Sequence, residues 1–340
     1  MKLFPKQKIQ YIEIVEDEKY FTKKKPVTKN NDKKLNHTFI IILYTIFIIS
    51  ITSFINHEIN SSNFEKLFKI KIKLEKLKFF TNTDKALYER VENCLIKDPD
   101  VELCIYQFIC PKEVINKKRI LIGYKGDGSY VMLDDFNNIT IAYSIGLSGD
   151  IKFDKALADK GIDVFMYDNI INKLPFEHEK FHWKKIGIGA HPDKVHNIHS
   201  LTYMMKENGH LIEKNMILKM DMGGSEWNLL NVLSEEILTQ FKYILVKYHF
   251  SDIKPLLIYN VLKKIYNTHQ AFYVHCSSNP NVIIFLNNRI CETMEVSYVI
   301  RGSHNFTKDN SIYPIQEFAY ADNKEFNVNI LKLFEEYGKI

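Results

Sequence analysis

Between Ile139 and Ile300 the chain alternates short apolar runs with stretches of helical spacing, and this alternation restricts its fold more than any other feature. Ile139 to Ile145 reads as a strand, Ile151 to Lys160 as a helix stopped by Gly161, and Ile162 to Tyr167 as a second strand ending at Asp168. "HWKKIGIGA" follows as a third strand, Thr202 to Asn208 as a helix and "NMILKMD" as a fourth strand. "FKYILVKYHF" is a fifth, Pro255 to Tyr266 a helix, "AFYVHCSS" a sixth, and "TMEVSYVI" the last. Strands alternating with helices of this length form a mostly parallel sheet with helices on both faces, so the expected fold class is α/β. Upstream, "RILIGYKGDGSYVML" predicts a hairpin, with Asp127-Gly128 suited to a tight turn between two short strands.

In such sheets ligands bind outside the carboxyl ends of the strands, which lets the polar residues there be collected in advance. The first strand contributes Gly146 and the "LSGD" loop with Ser148 and Asp150, the second Asp168, and the third Gly187 and Gly189. The fourth runs into "DMGGSE", which carries Asp221 and Glu226, while the fifth ends at His249 and the sixth at His275. An acid at the position of Asp168 either accepts hydrogen bonds from ribose hydroxyls or belongs to a solvated turn. Glu226 suits the first turn of a helix through the dipole. A lone strand-end histidine is commonly structural, whereas two at neighbouring ends are both candidates for a base. "SIGLSGD" lacks the G-x-G-x-x-G of dinucleotide sites, and the five cysteines show no CxxC pairing and hence no zinc pattern, so no metal is expected.

A chain of 340 residues accommodates one domain of roughly 250 residues plus an appendage. With 46% hydrophobic and 13% aromatic residues it is not a disordered chain. The net charge of +5 is concentrated towards the amino terminus, which implies no nucleic-acid face on the folded part.

The appendage has its own signal. Thr38 to Ile55 is free of charged residues and as a helix spans about 27 Å at about 1.5 Å per residue, enough for a thin bilayer. Lys23, Lys24, Lys25, Lys29, Lys33 and Lys34 precede it, against Lys66, Lys69 and Lys71 at a similar distance beyond, so the amino terminus is expected in the cytosol. The expected organisation is a cytosolic basic tail (1–37), a transmembrane signal anchor (38–56), a luminal basic stalk (57–82), a helical lead-in (83–118), the α/β domain (119–301) and a C-terminal extension (302–340). That is a single-pass type II membrane protein of the Golgi or endoplasmic reticulum. Asn138-Ile-Thr and Asn305-Phe-Thr then fit glycosylation, while Asn60-Ser-Ser lies close to the bilayer. A luminal setting permits disulfides, with Cys104 to Cys110 or Cys276 to Cys291 as local pairings.

"KGDGSYVM", "AYSIGLSGDIKFDKALADKGIDVFMYD", "HWKKIGIGA", "LKMDMGGSEWNLL" and "MEVSYV", in this order, resemble the membrane-anchored methyltransferase-like proteins related to FkbM-type sugar O-methyltransferases. The resemblance covers roughly Arg119 to Arg301 and implies a class I methyltransferase (Rossmann-like) fold that uses S-adenosylmethionine. By that likeness Gly146 and its loop, with Ser148 and Asp150, pass beneath the methionine part of the cofactor and Asp168 takes the ribose hydroxyls. The segment around Gly189 lines the adenine, and Asp221 sits beside the sulfonium. The family turn reads Asp, apolar, Glu, Gly, x, Glu, Trp; here Gly223 replaces the first Glu, while Gly224, Glu226 and Trp227 match.

Methyl transfer to a sugar hydroxyl needs close alignment and a base for the proton. The expected base is His249 or His275, with His249 favoured because its strand should lie nearer the centre of the sheet, and Asp221 or Glu226 orients it. The expected activity is O-methylation of a glycan hydroxyl in the secretory pathway. The alternatives are a membrane-tethered binding protein that keeps the fold without catalysis, which Gly223 motivates, and a methyltransferase acting on protein or small molecules, since fold does not fix substrate.

Overall fold

The computed structural model describes residues 105–318, apart from 125, 127, 148, 277–280, 286–287, 312, 314 and 316. The basic tail, the apolar span Thr38–Ile55, the stalk, most of the lead-in and the end of the C-terminal extension lie outside the described residues. Among the described residues no helix is long and apolar enough to cross a membrane.

The first strands are β1 (Lys112–Val114), β2 (Arg119–Ile122) and β3 (Tyr130–Leu133), and the last two form the expected antiparallel hairpin. Next come β4 (Ile141–Ile145), α1 (Lys152–Ala158) and β5 (Asp163–Tyr167), with Gly161 turning the chain after α1 at φ 83. The segment expected as a single third strand divides. β6 (Phe181–Lys184) pairs with β5, whereas β7 (Gly187–Ile188) leaves the main sheet and pairs in parallel with β8 (Ile198–His199). β6 is an edge strand with alternate residues exposed, which is where a run as charged as "HWKK" is tolerated.

Ser200 caps α2 (Leu201–Glu207), its hydroxyl accepting from Tyr203 N–H at 3.2 Å. Then follow β9 (Met216–Asp221), α3 (Glu226–Val232), the short α4 (Glu235–Leu238), β10 (Phe241–His249), α5 (Pro255–Thr268) and β11 (His269–Cys276). A hairpin of β12 (Val282–Phe285) and β13 (Asn288–Cys291) leads to β14 (Thr293–Ile300), and β15 (Phe306–Lys308) comes last.

Seven strands make the main sheet in the order β11-β14-β10-β9-β4-β5-β6. From β6 to β10 all neighbours are parallel, and β14 runs antiparallel to both β10 and β11. The chain is therefore an α/β protein with a mostly parallel sheet, compatible with a Rossmann-like fold. β14 is reversed for a simple reason: a parallel return from β11 needs a crossover helix, and the chain there holds only a hairpin. β9 and β10 are buried along almost their whole length, as central strands covered on both faces must be. α5 turns Leu256, Ile258, Val261, Leu262 and Ile265 inward at helical spacing.

The chain beyond Arg301 does not leave the domain at once. β15 pairs with β1, Asp309 receives Arg119 at 2.5 Å with both side chains largely buried, and Tyr313 and Phe318 pack on the ring of Tyr273. Of the two local cysteine pairings, Cys276–Cys291 is formed, tying the end of β11 to β13, while the pairing of Cys104 with Cys110 involves Cys104, which lies outside the described residues, among which Cys110 is free.

Two histidines of β11 are sealed in the core, and burial pushes both His269 and His275 down from 6.5 to about 4. Unfolding exposes them at their ordinary value, so the unfolded chain binds more protons between those limits. Their contribution to stability is complete above pH 6.5 and is lost as the pH falls towards about 4. Denaturant titrations at pH 7 and pH 5 of a His249→Ala domain, which lacks the ring whose raised pKa acts in the opposite sense, are expected to give the lower midpoint at pH 5, and equal midpoints would show that the two β11 rings titrate normally in the fold.

Candidate functional site

The parallel strands end together at one edge of the sheet, and a cleft of about 540 Å³ opens there, of a size suited to a small ligand. Gly146, Asp168, Asp221, Lys247 and His249 come to it from the ends of β4, β5, β9 and β10. Gly187, Ile188, Met222, Gly223 and Ser225 complete most of its lining.

The loop after β4 is held by its glycine. Gly146 stands at φ 75, and a Cβ there would lie 1.8 Å from Asp221 O, so only glycine lets the loop turn against the end of β9. Its N–H donates to Tyr167 O at 3.0 Å, and the buried Lys219 ammonium donates to its carbonyl. The next amide, Leu147 N–H, donates to Asp168 Oδ2 at 2.9 Å, and Asp168 Oδ1 accepts from Ile170 N–H at 2.7 Å and Ile171 N–H at 3.1 Å. Asp168 is buried and knits both loops together at the wall of the cleft.

The turn into α3 builds a second arrangement. Gly224 sits at φ 103, which brings its N–H onto Glu226 Oε2 at 2.8 Å. The fully buried Glu226 receives His249 N–H on Oε1 at 2.7 Å, and His249 Nδ1 lies 3.1 Å from the same oxygen. Trp227 Nε1–H donates to His249 O at 2.6 Å, while its ring stacks on Tyr248 at 4.4 Å. Consecutive residues of α3 thus clamp the backbone of His249 from both sides and orient its ring. With Nδ1 directed to Glu226, Nε2 is the nitrogen left towards Asp221, 3.8 Å from Oδ1, and the ring is partly exposed to the cleft. Burial disfavours the charged imidazole, but the Glu226 carboxylate and then Asp221 outweigh it and hold the His249 pKa above its ordinary value, with Lys247 opposing.

Lys247 is the cleft residue that the sequence reading passed over. Its ammonium pairs with Asp221 at 3.5 Å. The signal was available: two positions before His249 on one strand puts Lys247 on the same face.

Three of the expected site residues that the structure describes are absent from this arrangement. Asp150 stands just before the N-cap Ile151 of α1, accepting from Lys152 N–H at 3.1 Å and pairing with the Lys152 ammonium at 2.9 Å, and it does not line the cleft. Gly189 packs on Ile198 beyond the lining, where Gly187 and Ile188 stand instead. Ser148 lies outside the described residues. His275 is level with Glu295, Lys247 and Asp221 in a row across four strands, but β14 intervenes and sets it about 10 Å from β10, two strand spacings away. It is buried among Tyr273 and its neighbours rather than directed to the cleft. The two histidines expected at adjoining strand ends are therefore separated.

At Gly223 an added Cβ would meet nothing within 4 Å, so the glycine leaves open space on the cleft wall. Among the described residues no group of three or more His, Cys, Asp or Glu suits a metal ion. No protein family, no curated protein and no solved structure matches this chain.

Proposed function

We propose that the domain is an S-adenosylmethionine-dependent methyltransferase that O-methylates a glycan hydroxyl. The observation that carries this reading is the convergence, in one cleft, of a glycine-turned loop, a strand-end acid and a carboxylate-held histidine. A sheet of seven strands with a single reversed strand beside its edge is compatible with the class I fold that the sequence blocks imply.

The residues fit the cofactor's chemistry. Gly146 and Asp168 border the part of the cleft suited to the ribose and methionine portions, because a carboxylate beside backbone amides accepts from vicinal hydroxyls. Asp221 supplies negative charge where a cation is to be held. When bound, the cofactor supplies an electrophilic methyl group. His249 Nε2 takes the proton of the acceptor hydroxyl, and Glu226 stabilises the imidazolium that results. Glu226 is thus a positioning residue and His249 the base.

Calorimetry with S-adenosylmethionine and with its demethylated product tests the first half of the proposal: heat is expected from both, and absence of binding to either removes it. Asp168→Ala is expected to weaken binding by about 1.5 to 3 kcal/mol, the range for hydrogen bonds to a charged group. It also strips three backbone amides of their acceptor, so circular dichroism must show the variant folded. Unchanged affinity in a folded Asp168→Ala variant takes Asp168 out of the site. Label transfer from the cofactor to extracted glycan, protein and lipid fractions tests the acceptor class.

A binding protein without catalysis is the second reading, and Gly223 is the observation that favours it, since the turn lacks the carboxylate that the family pattern carries there. Cofactor binding without label transfer to any fraction would decide for it.

A further inference from the structure

Two of the N-x-Thr triplets lie at the end of the sheet opposite to the cleft. Asn138-Ile139-Thr140 leads into the first residue of β4, and Asn305-Phe306-Thr307 leads into β15. In the first, Ile139 N–H closes a turn onto Phe136 O at 3.1 Å, which holds Asn138 at φ 59, a left-handed conformation that asparagine tolerates. Ile139 is buried, and the residues on either side, Asn138 and Thr140, stand in solvent. The second triplet repeats this disposition: Asn305 and Thr307 are exposed around a half-buried Phe306, and Asn305 O is fixed by Ile115 N–H at 3.0 Å.

The triplets flank one patch. His304, next to Asn305, reaches Asp135 Oδ2 at 2.9 Å, and Asp135 begins the segment that ends at Asn138. Asn138 and His304 line the same shallow depression of about 300 Å³. A separate observation bears on the compartment. The Cys276–Cys291 bond is of a kind that persists in the oxidising secretory pathway, where asparagine-linked glycans are added.

We propose that Asn138 and Asn305 both carry N-linked glycans, which crowd the amino end of the sheet and leave the cleft at its carboxyl end uncovered. The donor is an oligosaccharide linked to a polyprenyl pyrophosphate. Asn Nδ2 forms a bond to the anomeric carbon, the bond from that carbon to the pyrophosphate oxygen breaks, the pyrophosphate leaves with the electron pair, and the amide gives one proton to the transferase. An exposed asparagine with an exposed threonine two residues on is what such an enzyme must reach. The inference rests on the luminal placement of the domain and not on methyl transfer.

The full chain, translated into sealed microsomes and treated with a peptide:N-glycosidase, is expected to gain mobility. Asn138→Gln and Asn305→Gln should each remove one step of that shift, and the double variant both. Thr140→Ala and Thr307→Ala should act like the asparagine variants, whereas Thr140→Ser and Thr307→Ser, which keep the triplet, should restore the glycan. A misfolding effect would not follow that serine rescue. The proposal is overturned if the full chain is insensitive to the glycosidase in microsomes that modify a control secretory protein, or if a shift persists undiminished in the double variant and so arises elsewhere, as at Asn60. Calorimetry with S-adenosylmethionine on the same preparations reads the methyltransferase proposal separately.

Discussion

His249→Ala is expected to lower the proposed methyl transfer about 10²- to 10⁴-fold, the loss typical of a general base, with affinity for the proposed cofactor nearly unchanged. The expectation rests on the way the ring is held. Glu226 is fully buried, accepts His249 N–H and faces Nδ1, and Trp227 fixes the His249 carbonyl, so the ring has one orientation and one nitrogen towards the cleft. His275→Ala is expected to leave turnover close to that of the parent, because its buried ring lies two strands away. The pH profile separates a base from a merely structural ring. The His249 pKa is raised, and only the neutral imidazole accepts a proton, so activity falls on the acid side with an inflection above the ordinary value of 6.5. Glu226→Gln removes the partner that holds the pKa up and is expected to move that inflection to lower pH. Label transfer at the parent rate in folded His249→Ala would refute the assignment, and the hydroxyl mechanism would lose its base.

Much of the architecture was legible because each strand announces itself by burial. β9 and β10 are covered on both faces, so "MILKMD" and "FKYILVKYH" are nearly unbroken apolar runs. The alternation with α1, α2 and α5 then dictated parallel pairing for most of the sheet. Two features were not legible. "HWKKIGIGA" has the composition of one strand, but nothing local says that it divides at Lys185-Ile186, where β6 follows the main sheet and β7 turns to β8. The insertion of β14 between β10 and β11 is a matter of long-range pairing, to which periodicity along the chain is blind.

That insertion explains why the site was read only in part. Strand-end rules collect residues by their level along the sheet, and by level His275 does belong with Asp221 and Lys247. They do not give lateral distance, and one extra strand carries His275 out of reach. Glu226 was read both as favourable to a helix start and, as an alternative to Asp221, as the carboxylate that orients the base, and the turn geometry sets it against His249 Nδ1. Asp150 shows the converse: a carboxylate in a candidate loop that is spent on a local turn bond and an ion pair with Lys152. Local sequence identified the loops that reach the cleft, and tertiary packing decided which side chains of those loops enter it.

Gly146→Ala is expected to carry the largest stability cost among changes in the cleft, about 2 to 6 kcal/mol. Part of it, about 1 to 3 kcal/mol, is the left-handed backbone at φ 75. A further 1 to 3 kcal/mol or so comes from overpacking, because the added methyl would stand 1.8 Å from Asp221 O and 2.8 Å from Asp221 C, and a strand backbone cannot rotate away as a side chain does. The loop has no easy escape. Gly146 N–H is bound to Tyr167 O, its carbonyl to Lys219, and the next amide to Asp168, so any shift breaks bonds to β5 and β9 together. Against a typical total of about 5 to 15 kcal/mol this is a large fraction, and the surviving folded molecules should bind S-adenosylmethionine poorly because Asp168 moves with the loop. Gly161→Ala is the control that isolates the close approach. Gly161 has a similar φ of 83 but no atom within 4 Å of an added Cβ, so that variant should lose only the backbone part. Denaturant midpoints measure both. Equal losses in the two variants would mean that the contact with Asp221 does not require glycine, and the loop after β4 would then owe its shape to its conformation alone.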